Sequence, residues 1–120
     1  MEFLLLALED EDAFAAREDP ARTAEYWSSW QGYLQALTAS GVLRSAGGLT
    51  PPAAATTLRL REGRRLVQDG PYAETKEQLG GYFVLDVPDV ETALEWAARC
   101  PSAAYASVEV RPLLAGPPQG

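Results

Sequence analysis

A run of apolar residues near the start of the chain limits its fold more than any other sequence feature. The run Phe3–Leu8 shows no alternation with polar residues, which is typical of a strand at the centre of a sheet or of one covered on both faces. It is too short to span a bilayer, and Glu2 has the wrong charge for a secretory signal. The run therefore predicts a first, central β-strand.

A long amphipathic helix is predicted next, over residues 20–40. Asp19 and Pro20 favour its beginning, and Gly41 favours its end because glycine readily adopts the left-handed conformation that terminates helices. Apolar side chains recur within it at three- and four-residue spacing, which indicates one core-facing side. These side chains are Trp27, Trp30, Leu34 and Leu37.

The second half of the chain predicts a hairpin, a strand, a helix and a last strand. Residues 57–61 and 65–68 flank the turn Glu62-Gly63, a pattern typical of a β-hairpin. Leu79–Val87 predicts a strong strand. A second helix is expected from Pro88 to about Cys100, with Cys100 in the core, and a strand follows over residues 107–111.

This order of elements predicts an α+β fold, a ferredoxin-like split βαβ with an inserted β-hairpin. Two helices then cover one face of an antiparallel sheet, and no further helix remains for the other face. We expect a second copy to cover it, which makes a homodimer. One domain is expected over residues 1–114, with a disordered Gly- and Pro-rich tail at 115–120.

Charge and composition exclude several classes of function. The net charge of −7 repels nucleic acid and anionic membrane surfaces, so neither is expected as a partner. The chain has no histidine, which excludes catalytic dyads and triads that need an imidazole. A single cysteine forms no internal disulfide, in agreement with a cytoplasmic location. No metal and no cofactor are predicted.

Three local patterns admit both a structural and a functional interpretation. The acidic run Glu9–Asp12 lacks the spaced ligands of a calcium loop and predicts a solvated loop. Gly80-Gly81 directly precedes a strand, which indicates a bulge or the close approach of another backbone, not a phosphate loop. Trp27, Trp30 and Tyr33 are expected in the core, with a ligand pocket as the alternative.

Four stretches of the chain share features with a known family. They are Ala55–Arg59, Asp69–Tyr82, Ala93–Pro101 and Val108–Leu113. These stretches resemble the DGPF branch of the YCII-related family, and in the motif Asp69-Gly70-Pro71-Tyr72 the tyrosine replaces the usual phenylalanine and keeps an aromatic ring.

The resemblance implies a dimeric α/β barrel with a cleft between helices and sheet or at the dimer interface. Some relatives in the wider family are dehydrochlorinases or have a proposed His-Asp pair for acid-base chemistry. Many DGPF proteins are encoded beside extracytoplasmic-function sigma factors. Because this chain lacks histidine, the His-Asp pair of those relatives is absent from it.

The candidate site lies around the Asp-Gly-Pro-Tyr motif. Asp69 is the candidate catalytic residue, as a general base if burial raises its pKa, and the alternative is a carboxylate that only caps the turn. Tyr72, Glu74 and Lys76 are candidate ligand-binding residues, with solvated charges as the alternative. Arg111 is the candidate for a charge that faces the cleft and holds an anionic group.

Two functions fit these features. The first is a small-molecule-binding or weakly enzymatic dimeric barrel whose ligand is a small anion. The second is a regulatory protein that interacts with an extracytoplasmic-function sigma factor through the motif and the arginine-rich hairpin, which contains Arg59, Arg61, Arg64 and Arg65.

Overall fold

The computed structural model of the chain describes residues 1–71 and 73–116. Most of the tail predicted to be disordered, 115–120, lies outside these residues. Within them, no helix is both long enough and apolar enough to cross a membrane. The elements are β1 (Glu2–Asp10), α1 (Glu11–Ala16), α2 (Thr23–Ser40), β2 (Leu43–Gly48), a 3₁₀ turn (Pro52–Ala54), β3 (Thr56–Arg61), β4 (Arg64–Asp69), β5 (Glu77–Asp86), α3 (Val90–Arg99), a second 3₁₀ turn (Pro101–Ala104) and β6 (Ser107–Pro112).

Four strands form one antiparallel sheet in the order β2, β5, β1, β6. The first strand pairs on both edges, which confirms its predicted central place. Strands β3 and β4 form a separate two-stranded sheet, the predicted hairpin. The α+β fold with an inserted hairpin is therefore confirmed, and α1 is an addition that the sequence analysis did not predict.

The core lies between one face of the sheet and the helices. Phe3, Leu5 and Ala7 are buried on that face and pack against residues such as Tyr33 and Leu37 of α2. The core also includes Ala93 and Ala97 of α3 and, as predicted, Cys100 at its end.

The other face of the sheet has no helix over it among the described residues. Leu4, Leu6 and Leu8 point to that face and are half-buried by their neighbours in the sheet. The first strand is thus covered by helices on one side only. The homodimer that would cover the other side stays a prediction.

Helix α2 begins later than predicted but ends as expected. The carboxylate of Asp19 accepts hydrogen bonds from the Ala21 backbone at 2.9 Å and from Arg22 Nε at 2.9 Å, so it organises a turn before the helix. The first helical residue is Thr23. Gly41 ends the helix with a φ of 80°, which confirms its role.

The solvated loop predicted at Glu9–Asp12 is wrong. Glu9 and Asp10 complete β1, and Asp10 begins α1 by accepting a hydrogen bond from the Ala13 backbone at 2.8 Å. Alternation along the strand places Glu9 on the same face as Ala7, and its exposed fraction is 1%. One carboxylate of this acidic run, that of Glu9, is therefore buried.

A substitution at Gly32 tests the helical conformation of α2 without changing side-chain packing. A Cβ at this exposed position would meet no atom within 4 Å. We expect Gly32→Ala to raise the free energy of unfolding by about 0.5–1 kcal/mol in urea denaturation, because alanine has the higher helix propensity. Gly41→Ala is the control and should lower stability, since alanine is strained at a φ of 80°. Equal effects of the two substitutions would contradict this helix and its end.

Candidate ligand-binding groove

A groove of about 450 Å³ opens between helix α2 and the edge of the sheet. This volume is within the range of small-molecule sites in proteins. Trp30 stacks nearly parallel to Phe83 of β5, with an angle of 8° between the rings, and Tyr26 meets Trp27 edge to face. The wall of the groove that α2 provides consists of Tyr26, Trp27, Trp30, Gln31 and Leu34.

The floor of the groove is mostly bare backbone. It contains two glycines of β2, Gly47 and Gly48, and two of β5, Gly80 and Gly81. A Cβ on Gly81 would lie 3.1 Å from the carbonyl oxygen of Gly47. The pairing of β1 with β5 also shifts by one residue at Gly80, so the predicted bulge and the predicted close approach of another backbone are both present.

Glu9 closes the inner end of the groove. Its Oε2 accepts a hydrogen bond from Arg17 Nη2 at 2.7 Å. Its Oε1 accepts hydrogen bonds from the hydroxyls of Tyr26 and Tyr105, the latter at 2.8 Å. Both oxygens of this buried carboxylate therefore have partners, as a charge removed from water requires.

Arg17 connects this carboxylate to the surrounding backbone. The residue follows α1, and its side chain is 9% exposed. Its Nε donates to the Tyr26 hydroxyl at 3.0 Å, Nη1 donates to the Leu49 carbonyl at 2.5 Å, and Nη2 also reaches the Gly80 carbonyl at 3.2 Å. The guanidinium carbon lies 5.4 Å from the centre of the Trp27 ring. One side chain thus joins α1, α2 and the ends of β2 and β5.

The tyrosine hydroxyls at Glu9 remain protonated in neutral solution. Burial, followed by the hydrogen bond to Glu9, raises the pKa of Tyr26 and of Tyr105 above the usual 10.0. Burial lowers the pKa of Arg17, but its hydrogen bonds to Tyr26 and Glu9 outweigh that effect and the net shift is upward. Tyr26 and Tyr105 therefore keep their hydroxyl protons and donate hydrogen bonds to Glu9 at neutral pH, and Arg17 stays charged.

The motif residues proposed from the sequence lie away from the groove. Asp69 is exposed at the end of β4, opposite Thr56, and Glu74 and Lys76 are exposed in the connection to β5. Within residues 1–71 and 73–116, no hydrogen bond to the Asp69 carboxylate is present. Tyr72 is outside the described residues. The catalytic and binding roles of these residues stay predictions.

Arg111 lies on the opposite side of the sheet from the groove. It pairs with Leu4, on the face without helices, and its Nε is 3.8 Å from Glu109 Oε2. Glu9 marks the groove side, because it shares a face with the buried Phe3. Arg111 therefore does not line the groove, and its proposed contact with an anionic ligand stays a prediction for the open face.

The hydrogen-bonded cluster of Glu9, Arg17 and Tyr105 was not predicted from the sequence. A usable signal was present for Glu9, since counting alternate residues from Phe3 reaches it on the buried face. The core position expected for Trp27 is wrong, because this side chain is 47% exposed and lines the groove; its contact with a ligand stays a prediction. Tyr33 is a core residue instead.

The architecture defines the class of protein: an α+β domain with helices on one face of a four-stranded antiparallel sheet and a groove beneath one helix. The chain belongs to the YCII-related family, because the YCII-related domain matches residues 1–115. An uncharacterised protein of Rhizobium meliloti strain 1021 is 37% identical over 118 residues, which cover 94% of this chain and 92% of that protein. The family resemblance seen in the sequence is confirmed.

A solved structure shares this fold. It is the 5-chloro-2-hydroxyhydroquinone dehydrochlorinase TftG from Burkholderia phenoliruptrix, in complex with 2,5-dihydroxybenzoquinone. The TM-score is 0.55 at 15% sequence identity, and the match covers 97% of this chain and 96% of that one. At this level of identity the similarity shows a common fold.

Gly80→Ala should disrupt the cluster at the inner end of the groove. The added Cβ would overlap the Glu9 carboxylate, which hydrogen bonds hold in place from two directions. We expect a loss of about 1–3 kcal/mol in the free energy of unfolding, the usual cost of overpacking. Gly48→Ala is the control, because a Cβ there meets no atom within 4 Å. A Gly80→Ala variant as stable as this control would refute the packing described.

The raised pKa values of Tyr26 and Tyr105 predict alkaline instability. The folded state holds these protons more tightly than the unfolded chain, so the stabilisation is complete below pH 10.0, the usual tyrosine pKa, and declines as the pH rises above it. Urea unfolding at a series of alkaline pH values should show this decline. The double variant Tyr26→Phe/Tyr105→Phe should show a shallower one, and equal slopes would argue against the buried hydroxyls.

Proposed function

We propose that this protein binds a small, flat, uncharged organic molecule in the groove between α2 and the sheet. The observation that carries the proposal is the combination of an aromatic wall, a glycine floor and an inner end whose charges are already paired. A cavity of about 450 Å³ accommodates a ring system with a few substituents.

The paired charges favour an uncharged ligand. Glu9 and Arg17 neutralise each other, and their hydrogen-bonding atoms are engaged by the chain itself. A charged ligand would lose its hydration here without gaining a strong partner. An uncharged one gains about 25 cal/mol for each Å² of apolar surface that it buries.

The shape of the groove favours a flat ligand. The glycines of the floor present peptide planes without side chains, and Trp27 and Trp30 present ring surfaces on the other side. An aromatic or quinonoid ring between them would gain about 0.5–1.5 kcal/mol for each ring contact beyond its buried area. The comparison protein TftG, which has this fold, forms a complex with the planar 2,5-dihydroxybenzoquinone, and this supports a flat ligand.

Binding is favoured over catalysis at this site. Both oxygens of the Glu9 carboxylate accept hydrogen bonds from the chain, so neither is directed at the groove as a general base would be. The tyrosine donors are likewise directed at Glu9. The weakly enzymatic form of the function therefore has less support than the binding form.

The motif around Asp69 is a second possible location for a ligand. Its support is the clustering of Asp69, Tyr72, Glu74 and Lys76 along the chain, and the resemblance to the family motif. A small anion remains the ligand that such residues, with Arg111, would hold.

The sigma-factor partner also remains a proposal. It is supported by the family resemblance and by the exposed hairpin, and co-purification with a sigma factor from the source cells would test it.

The two locations are distinguished by a pair of variants. Gly48→Val should fill the groove. Gly48 pairs with Gly81 and faces the helix side of the sheet, and a Cβ added to it would have no atom within 4 Å. Asp69→Asn changes only the motif. We expect calorimetry with phenols, hydroquinones and quinones to show at least ~10-fold weaker binding to Gly48→Val, a loss of about 1.4 kcal/mol, and unchanged binding to Asp69→Asn.

Other outcomes would locate the site differently. If Asp69→Asn abolished binding and Gly48→Val preserved it, the site would be at the motif and the groove proposal would be wrong. Tighter binding of a benzoate than of the matching neutral phenol would contradict an uncharged ligand. For any ligand that binds only the folded state, the thermal midpoint must also rise with ligand concentration.

A further inference from the structure

One row of side chains on helix α2 lines the mouth of the groove and contains a polar residue between two apolar ones. Trp27, Gln31 and Leu34 follow each other at spacings of four and three residues, which places them on one side of the helix. All three line the groove. Trp27 and Leu34 are 47% and 40% exposed, and Gln31 is exposed as well. A carboxamide therefore lies at the rim of an aromatic wall.

The other polar side chains of the groove are already engaged. Glu9, Arg17 and Tyr26 are hydrogen-bonded to one another, and Trp27 Nε1 donates to the Arg17 carbonyl at 3.3 Å. Trp30 Nε1 also faces the interior, where it is shielded from solvent. None of these groups is both exposed and available to a ligand in the part of the chain that the structure describes.

The Gln31 carboxamide differs from them, because it makes no hydrogen bond within the described residues. We propose that Gln31 determines the ligand specificity of the groove by hydrogen bonding to an oxygen substituent on the edge of a flat ring. This inference rests on the proposed function and narrows its ligand class. The class becomes rings that carry a hydroxyl or a carbonyl group, in preference to plain hydrocarbons.

The chemistry of a carboxamide suits both of these oxygen substituents. Its NH₂ group donates hydrogen bonds and its oxygen accepts them. A ligand hydroxyl can therefore donate to Gln31 Oε1, and a ligand carbonyl can accept from Gln31 Nε2. The carboxamide is uncharged, so it adds polar recognition at the rim without attracting ions into the groove.

The position of Gln31 separates this hydrogen bond from the stacking contacts. Tyr26, which donates to Glu9 at the inner end, precedes Gln31 by five residues. That separation is about 7.5 Å along the helix axis, at a rise of ~1.5 Å for each residue. A ring can thus lie between the glycine floor and Trp27 while an oxygen on its edge meets Gln31 at the outer end.

The alternative is a glutamine that is only solvated, as exposed polar residues usually are. Gln35 is the matched control for this case. It is also an exposed glutamine of α2, but it is not among the described residues that line the groove. Gln31→Leu and Gln35→Leu remove the same carboxamide with the same effect on helix propensity, so both should keep the thermal midpoint of the wild type.

Three uncharged probes of similar shape separate the hydrogen bond from the stacking. Naphthol carries a hydroxyl, coumarin carries a carbonyl but no hydroxyl, and methylnaphthalene carries neither. In equilibrium dialysis, Gln31→Leu should bind naphthol and coumarin about 3–10-fold more weakly than the wild type, the effect of losing one hydrogen bond. It should bind methylnaphthalene at least as tightly. Gln35→Leu should bind all three probes like the wild type.

Gln31→Glu tests the direction of the hydrogen bond. A carboxylate has nearly the shape of the carboxamide, but it accepts hydrogen bonds and donates none. This variant should therefore retain the binding of naphthol at neutral pH and bind coumarin at least ~3-fold more weakly. A residue that only shapes the rim of the groove would not separate the two probes in this way.

The role of Gln31 can fail while the groove proposal survives. If Gly48→Val weakens the binding of all three probes and Gln31→Leu changes none of them, the groove is the site and the role of Gln31 is wrong. An equal loss of all three probes in Gln31→Leu would also overturn that role, since the effect would then be one of shape. If the wild type binds none of the probes, or if Gly48→Val leaves their binding unchanged, the groove proposal and the role of Gln31 are both wrong.

Discussion

The buried ion pair of Glu9 and Arg17 is the interaction on which the rest of this structure depends. It joins the end of β1 to the end of α1, and through further hydrogen bonds of Arg17 it reaches Leu49 and Gly80 in the neighbouring segments. Removing one partner of a buried pair usually costs about 3–5 kcal/mol, because the other charge is left uncompensated. Tyr26 therefore ties α2 to this polar cluster, in addition to the core packing of Tyr33 and Leu37 against the sheet.

The groove exists because of what surrounds this cluster. Gly80 lies so close to the Glu9 carboxylate that a side chain there would overlap it. The same glycine, with Gly47, Gly48 and Gly81, leaves the floor without side chains, while α2 supplies aromatic rings above it. Gly80 thus has two effects: it leaves room for the hydrogen-bonded Glu9 carboxylate, and it helps to keep the groove open. The chain has no histidine, and the groove is the basis of the proposal that the protein binds an uncharged ring.

Two apolar surfaces of the chain remain without a cover in a single copy. One is the sheet face that carries Leu4, Leu6 and Leu8, and the other is the hairpin face that carries Leu58 and Leu60. Both are the kind of surface that association buries. The groove lies on the helix side of the sheet, and Leu4, Leu6 and Leu8 lie on the other face, so substitutions can alter the groove and the open sheet face one at a time.

The sequence by itself determined the family and the order of the strands and the two longer helices, but not α1 or the first residue of α2. Alternation and helical spacing are local patterns, so Phe3–Leu8, the hairpin turn at Glu62 and the helix end at Gly41 could be recognised without coordinates. Only the tertiary structure decided the candidate site. Tyr105 is 96 residues from Glu9 along the chain, and no local pattern indicates that Arg17, Tyr26 and Tyr105 all donate hydrogen bonds to the Glu9 carboxylate. Likewise, helical spacing placed Trp27, Trp30 and Leu37 on one side of α2, but only the packing of α2 over the sheet decided that Leu37 is buried in the core while Trp27 and Trp30 line a groove.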